Sequence, residues 1–282
     1  MSSHIQAAAQ ARPVRTTGAT RSADGTQIGW EQVGEGVAIV VVHGGTRAAE
    51  HYRALADALA ARFTVIAYDR RGRGASGPAR VDDGLDVEIA DLEAVLRATG
   101  ATRVFGHSAG AVVSIEAALR LPMIQRLALY EPPLGPSVPT AWLPGFEQAL
   151  ADDHVARAMA LAIDGLQMGP RYVPVWALAL PIRLLARGEA GRKLATLLRT
   201  LPRDLATARS VPPGFDRYRQ VACPTLLLRG GKSPRYLHEA LDALAAVLPR
   251  VEAAELPDAG HNAPDNEAPQ VVAAHLTKIF AE

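Results

Sequence analysis

The chain predicts an α/β fold: a doubly wound, mostly parallel sheet with a helical lid inserted into it. Three observations predict this. Short apolar runs recur, each followed at once by glycine or a polar residue: Val37 to Val42 (VAIVVV) before His43-Gly44-Gly45, Phe63 to Tyr68 (FTVIAY) before Asp69, and Arg103 to Gly106 (RVFG) before His107-Ser108. Runs that are β-branched and apolar on both faces suit a central parallel sheet. Helix-like segments alternate with these runs, as a doubly wound sheet requires. From Pro132 to about Pro213 that rhythm stops, and only helix-like segments follow.

Taken in order, ATRSADGTQIGWEQVG carries Asp24-Gly25, a hairpin turn signal, and predicts an antiparallel ribbon at a sheet edge. Residues 49–63 place Tyr52, Leu55, Leu59 and Phe63 at helical spacing, and residues 85–100 place Val87, Ile89, Leu92, Val95 and Leu96 on one stripe ending at Gly100, a good C-cap. Ala109 to Leu121 reads as a helix and Ile124 to Tyr130 as a strand. In the middle stretch, helices are expected near Phe146–Leu166, Val175–Leu185 and Gly191–Ala208, entered through prolines 132, 133, 136, 139 and 144. Pro224–Arg229 and Val251–Leu256 read as strands, Pro234–Leu248 and Ala268–Phe280 as helices, with Pro269 in the first turn of the last. The predicted organisation is a flexible tail over 1–19, a core over 20–133 and 214–282, and a helical cap over 134–213.

Bulk properties narrow the function classes. The 282 residues are 49% hydrophobic but only 5% aromatic, so an aliphatic core is expected. Thirty Lys and Arg against 29 Asp and Glu, scattered along the chain, give no field to gather nucleic acid. The single cysteine, Cys223, excludes an internal disulfide and any zinc or iron–sulfur spacing, and reads as a buried small residue. No apolar stretch has the length of a membrane span, and the N-terminus lacks the apolar region of a secretory signal. The expectation is a cytoplasmic protein with a small-molecule substrate, no nucleic acid or membrane partner, no metal or cofactor, and a monomeric or homodimeric state.

Chemistry concentrates in three places. Gly106-His107-Ser108-Ala109-Gly110 fits G-x-S-x-G, in which small residues let a serine stand on a sharp strand-to-helix turn with its hydroxyl over the sheet. The helix that follows aims its N-terminal N–H groups at developing negative charge. A tetrahedral intermediate needs two such donors. Ala109 is the first, and Gly45 is the favoured second, with Gly44 or Thr46 as alternatives. His43 reads as a brace for that loop. Pro257-Asp258-Ala259-Gly260-His261 follows the last strand, where a histidine can reach Ser108 as general base. His107, beside the serine, is expected to shape the pocket.

The four motifs HGGT (43–46), YDRRGRGAS (68–76), GHSAG (106–110) and DAGH (258–261) together resemble the α/β-hydrolase superfamily, specifically its members with a helical cap, over nearly all the chain from about residue 20. The resemblance implies a Ser108–His261 hydrolase acting through an acyl-enzyme. It also implies that the arginines and glycines after Tyr68 fix structure. One position departs from the pattern. Most of the family carries an acid after the penultimate strand, and here Gly230-Gly231-Lys232-Ser233 puts Ser233 there. Glu131, directly after RLALY and before Pro132-Pro133, is the best replacement. Some haloalkane-dehalogenase-like members and some lipases take their acid from that strand end. Capping of the lid entrance or an arginine pair is the structural alternative for Glu131, and Asp258 is the second candidate acid.

Serine at the turn argues against dehalogenase or epoxide hydrolase chemistry, for which this family uses aspartate. The lid carries Trp142, Phe146, Met159, Met168, Tyr172, Trp176 and Leu178, and Trp142, Phe146, Met168 and Trp176 are expected in the substrate pocket. A small, mostly apolar ester, lactone or thioester is the expected substrate. Arg183, Arg187, Arg192, Lys193, Arg199 and Arg203 read as a solvated helix face. The alternatives are a lyase or cyclase of natural-product metabolism using Ser108 and His261 for proton transfer, and a non-catalytic ligand-binding protein.

Overall fold

A computed structural model describes residues 13–80, 82–135, 137–170 and 172–281. Residues 1–12 of the expected tail, and Pro136, lie outside them. The chain begins with β1 (Arg15–Arg21) and β2 (Gln27–Val33), joined at Asp24-Gly25 into an antiparallel hairpin. Residues 15–19, assigned to the tail from sequence, are therefore strand. None of them is buried, as suits an edge strand, and the segment contains no long apolar run to announce it.

β3 (Val37–Val42) leads to a 3-10 turn over Ala49–Tyr52 and α1 (Arg53–Leu59). Phe63, read as the end of that helix, instead opens β4 (Phe63–Tyr68). α2 (Leu85–Thr99) ends at Gly100 in the left-handed region, φ +68°. β5 (Arg103–His107), α3 (Ala109–Ala118) and β6 (Arg126–Tyr130) follow. Between β6 and the next strand lie α4 (Leu143–Ala151), α5 (Val155–Gly165), α6 (Val175–Leu185), α7 (Gly188–Leu198) and α8 (Leu201–Ser210). Two breaks here have local causes. Asp152-Asp153-His154 separates α4 from α5, with Asp153 at φ +57°, and Pro202 sits in the first turn of α8, where a missing N–H costs nothing. The core resumes with β7 (Thr225–Gly230), α9 (Arg235–Val247), β8 (Val251–Leu256) and α10 (Pro269–Ala281).

The fold class is the one the sequence predicts. The eight strands form one sheet in the order β1-β2-β4-β3-β5-β6-β7-β8, parallel from β4 onward. The period of two divides each apolar strand between the faces. Val40, Val42, Val104, Leu127 and Leu129 pack under α2, α3 and α9, while Ile39, Val41, Phe105, Ala128 and Tyr130 pack under α1 and α10. A third apolar cluster, around Phe146, Ala158, Leu198, Leu201 and Leu205, holds the inserted helices together. The carboxyl ends of β3, β5, β6 and β8 meet beneath those helices, at the rim where open α/β sheets gather ligands.

The candidate active site

Ser108 joins β5 to α3 at φ +54°, ψ −123°, a strained setting for a residue with a side chain. The glycines around it answer to packing. A Cβ on Gly106 would lie 2.5 Å from Ser114 Oγ, and one on Gly110 would lie 2.2 Å from the Val42 carbonyl oxygen. The turn is therefore pressed against the end of β3. The Ser108 N–H donates to the Tyr130 carbonyl at 2.9 Å, which ties the turn to β6.

Glu131 leaves β6 at φ +48° and is fully buried. Its Oε1 accepts the Gly230 N–H at 2.7 Å, and its Oε2 lies 2.7 Å from His261 Nδ1. The carboxylate thus spans from the end of β7 to the loop after β8. Gly230 must be glycine, because a Cβ there would sit 2.5 Å from the Ala259 carbonyl oxygen in the histidine loop. Asp258 is exposed, and Ser233 Oγ is buried with no hydrogen-bond partner among the described residues. With Nδ1 engaged by Glu131, the His261 ring has Nε2 left to serve a neighbour. Ser108 and His261 line one cavity of about 200 Å³.

The same cavity is lined by Gly44, Gly45, Thr46, Arg47, His107 and Asn262 from the core, and by Met159, Ala162, Ile163, Leu166, Met168 and Leu201 from the inserted helices. Of the lid residues expected in the pocket, only Met168 is there. Phe146 is fully buried among the inserted helices and Trp142 packs edge-on against it at 5.4 Å, with its indole N–H given to the Pro139 carbonyl. Trp176 is 68% exposed on the outer side of α6. Helical spacing marks apolar positions but does not say which of two apolar surfaces each one serves, and Trp142, Phe146 and Trp176 serve the interior or the outer face of the inserted helices instead of the pocket.

Sequence reasoning missed the polar frame around the cavity. The Gly44 N–H donates to Tyr52 Oη at 3.1 Å, Tyr52 Oη lies 2.5 Å from His107 Nδ1, and His107 Nε2 lies 2.9 Å from the His261 carbonyl oxygen. The proton order follows: His107 Nε2–H donates to that carbonyl, so Nδ1 accepts from the tyrosine hydroxyl. Burial, reinforced by the charges of His261 and Arg47, holds His107 well below the ordinary histidine value and keeps it neutral. His107 lines the cavity, yet both its ring nitrogens are occupied.

Arg47 supplies a second tie. Its Nε donates to Asp265 at 2.5 Å, its Nη2 to Asn262 at 3.2 Å and its Nη1 to Thr46 Oγ1 at 3.1 Å. It links the glycine loop to the loop that carries His261. His43 is also buried and braces this region, with Nδ1 against the Gly44 carbonyl and Nε2 accepting the Arg70 N–H at 3.0 Å. Burial, then Arg73 and Arg70, push its basicity far down. Asp69 spends its two carboxylate oxygens on the N–H groups of Ala49 and Ala75. Tyr52 gave no signal in the sequence because it falls on the apolar stripe of its helix. Arg47 stands beside a recognisable motif, and its adjacency to HGGT was the available clue.

Comparison with known proteins matches residues 39–275 to the model of the alpha/beta hydrolase family. Two curated relatives are matched over about two-fifths of their length. One is N-formylmaleamate deformylase of Pseudomonas putida, 39% identical over 106 residues, which is 36% of this chain and 39% of that one. The 2-(acetamidomethylene)succinate hydrolase of Mesorhizobium japonicum is 27% identical over 88% of this chain and 89% of its own. Among solved structures, an alpha/beta hydrolase from Sphaerobacter thermophilus is similar with a TM-score of 0.79 and 30% identity, covering 93% of this chain and all of that one.

Proposed function

The chain belongs to the alpha/beta hydrolase family, and from that premise we propose that it is a serine hydrolase cleaving a small, mostly apolar carboxylic ester, lactone or thioester. The observation that carries this reading is the Glu131–His261 contact at 2.7 Å beside a cavity lined by both His261 and Ser108. In the proposed sequence of steps, Ser108 Oγ attacks the acyl carbon while His261 takes its proton. Glu131 holds the ring and stabilises the imidazolium. The Ala109 and Gly45 N–H groups receive the oxyanion. Gly45 is favoured over Gly44 because Tyr52 already engages the Gly44 N–H. His261 then protonates the leaving group and activates water to release the acid.

The cavity of about 200 Å³ is smaller than typical ligand pockets of about 300–1,000 Å³. Its cap wall of methionine, leucine, isoleucine and alanine favours a short apolar acyl group. The relatives named for hydrolysis favour this chemistry over the lyase, cyclase and ligand-binding alternatives. A second reading has its own support. Two relatives are named for N-formyl and acetamido compounds, which points to an acyl–nitrogen bond cleaved by the same steps.

Turnover of p-nitrophenyl acetate, butyrate and dodecanoate, set beside an N-formyl amide, tests both readings. The short esters are expected to be hydrolysed fastest, and a serine-reactive phosphonate to label Ser108. The serine mechanism fails if Ser108→Ala keeps its activity. Faster turnover of the N-formyl amide than of any ester would select the second reading.

A further inference from the structure

We propose that the cap docks on anionic lipid bilayers through the outer face of α6 and the groove beside it. All residues of α6 except Arg183 are apolar or proline, yet none is fully buried. Trp176, Leu180 and Leu184 follow one another at intervals of four, which puts them on one side of the helix. They are 68%, 55% and 63% exposed. A helix packed on a water-soluble protein turns such a stripe inward. Here the stripe faces out, and the exposed Tyr172 lies one turn before it.

The charge beside the stripe identifies the partner. Between Val175 and Leu198 there are four basic residues, Arg183, Arg187, Arg192 and Lys193, and one acid, Glu189, which pairs with Lys193. Arg183, Arg187 and Arg192 have no carboxylate partner among the described residues. Arg183 stands two turns beyond Trp176, on its side of the helix, and Arg187 lies in the short link between α6 and α7. Trp176, Leu180, Arg157, Arg183 and Arg192 line a groove of about 940 Å³, whose lining joins apolar side chains to three arginines. Asp153, which also lines it, is within 4.0 Å of Arg199.

Apolar anchors, an interfacial tryptophan and flanking arginines are the combination that holds a helix in the plane of an anionic bilayer. At roughly 16 Å, α6 would lie along such a surface. No described helix is long and apolar enough to cross one. A second copy of this chain is a poorer occupant, because a two-fold contact would set the arginines of both faces against each other. This departs from the sequence expectation of no membrane partner and is independent of the hydrolase reading.

The test is co-sedimentation of the full chain with vesicles of phosphatidylcholine alone or of phosphatidylcholine with phosphatidylglycerol. Binding is expected only to the anionic vesicles, weakening as salt is raised. The pairs Leu180→Ser with Leu184→Ser, and Arg183→Gln with Arg187→Gln, are each expected to weaken it by about tenfold or more. Unchanged thermal midpoints would show that these exposed substitutions leave the fold intact. A blue shift of tryptophan emission on binding should vanish in Trp176→Phe. No sedimentation with anionic vesicles, or sedimentation of both paired variants equal to that of the wild type, would overturn the proposal. So would a dimer in sedimentation velocity that the paired leucine substitutions abolish, which would assign the face to a second copy.

Discussion

Glu131 holds a left-handed backbone setting that costs a residue with a side chain about 1–2 kcal/mol. Its two carboxylate oxygens meet two donors, the Gly230 N–H and His261 Nδ1. A glutamine has one oxygen for the same two donors. Glu131→Gln should therefore fold but lose control of the histidine tautomer, with kcat reduced by roughly 10²–10⁴. Steady-state kinetics across pH would check it, and wild-type kcat with an unchanged profile would remove Glu131 from the machinery. The residue was legible because a carboxylate directly after an apolar strand is a poor structural choice, and because Ser233 left the usual place without an acid. Tyr52 was not legible. Its hydroxyl acquires a partner only when β3 and β5 lie side by side, an arrangement that no local pattern encodes.

At the level of elements, α8 fastens the inserted helices to the sheet region. Its Asp204 pairs with Arg70 at 2.9 Å and Arg73 at 2.5 Å, and Arg203 reaches Glu88 at 2.9 Å. Burial alone would raise the Asp204 carboxyl, but Arg70 and Arg73 outweigh it and hold the group below the usual carboxylate range. Removing one partner from such a buried set strands the others. Asp204→Ala is expected to cost about 3–5 kcal/mol in denaturant unfolding. Asp204 Oδ2 also lies 3.2 Å from where a Gly45 Cβ would stand, so activity should fall with stability. A loss below about 1 kcal/mol would mean that the network relaxes around the gap. The cap's helices were legible from their apolar spacing, but not their breaks or their faces. Trp142 and Phe146 serve the cap interior, and Trp176 faces outward. Which surface an apolar residue meets depends on neighbours distant in sequence.

For the whole molecule, two buried neutral histidines couple stability to pH. His43 and His107 both titrate far below 6.5 in the fold, chiefly because burial disfavours their charged forms. The unfolded chain then binds more protons than the folded one once pH falls below 6.5. Stability is full above that value and declines as pH drops, by up to about 1.4 kcal/mol per pH unit for each histidine. Urea unfolding at about pH 7.5 and about pH 5.5 should show the decline, and His107→Gln should reduce its slope. Equal or greater stability at the lower pH would contradict the assignment. At this scale the sequence was most informative. Three runs apolar on both faces, with helices between them, leave little freedom but a covered parallel sheet, whereas the edge hairpin's first strand lacked that signature.

The wide separation of the site's partners along the chain carries a consequence for biosynthesis. Glu131 meets Gly230 across 99 positions and His261 across 130, and Arg47 meets Asp265 across 218. On the ribosome, Ser108 and Glu131 emerge long before β8 and the loop behind it exist. Until then Glu131 has the Gly230 N–H but not His261, and Ser108 lacks its proposed base. A stalled chain ending before β8 should therefore be inert toward a phosphonate that labels the finished protein. Reactivity would arrive as the last strand docks, so the nascent enzyme is silent until its sheet is closed.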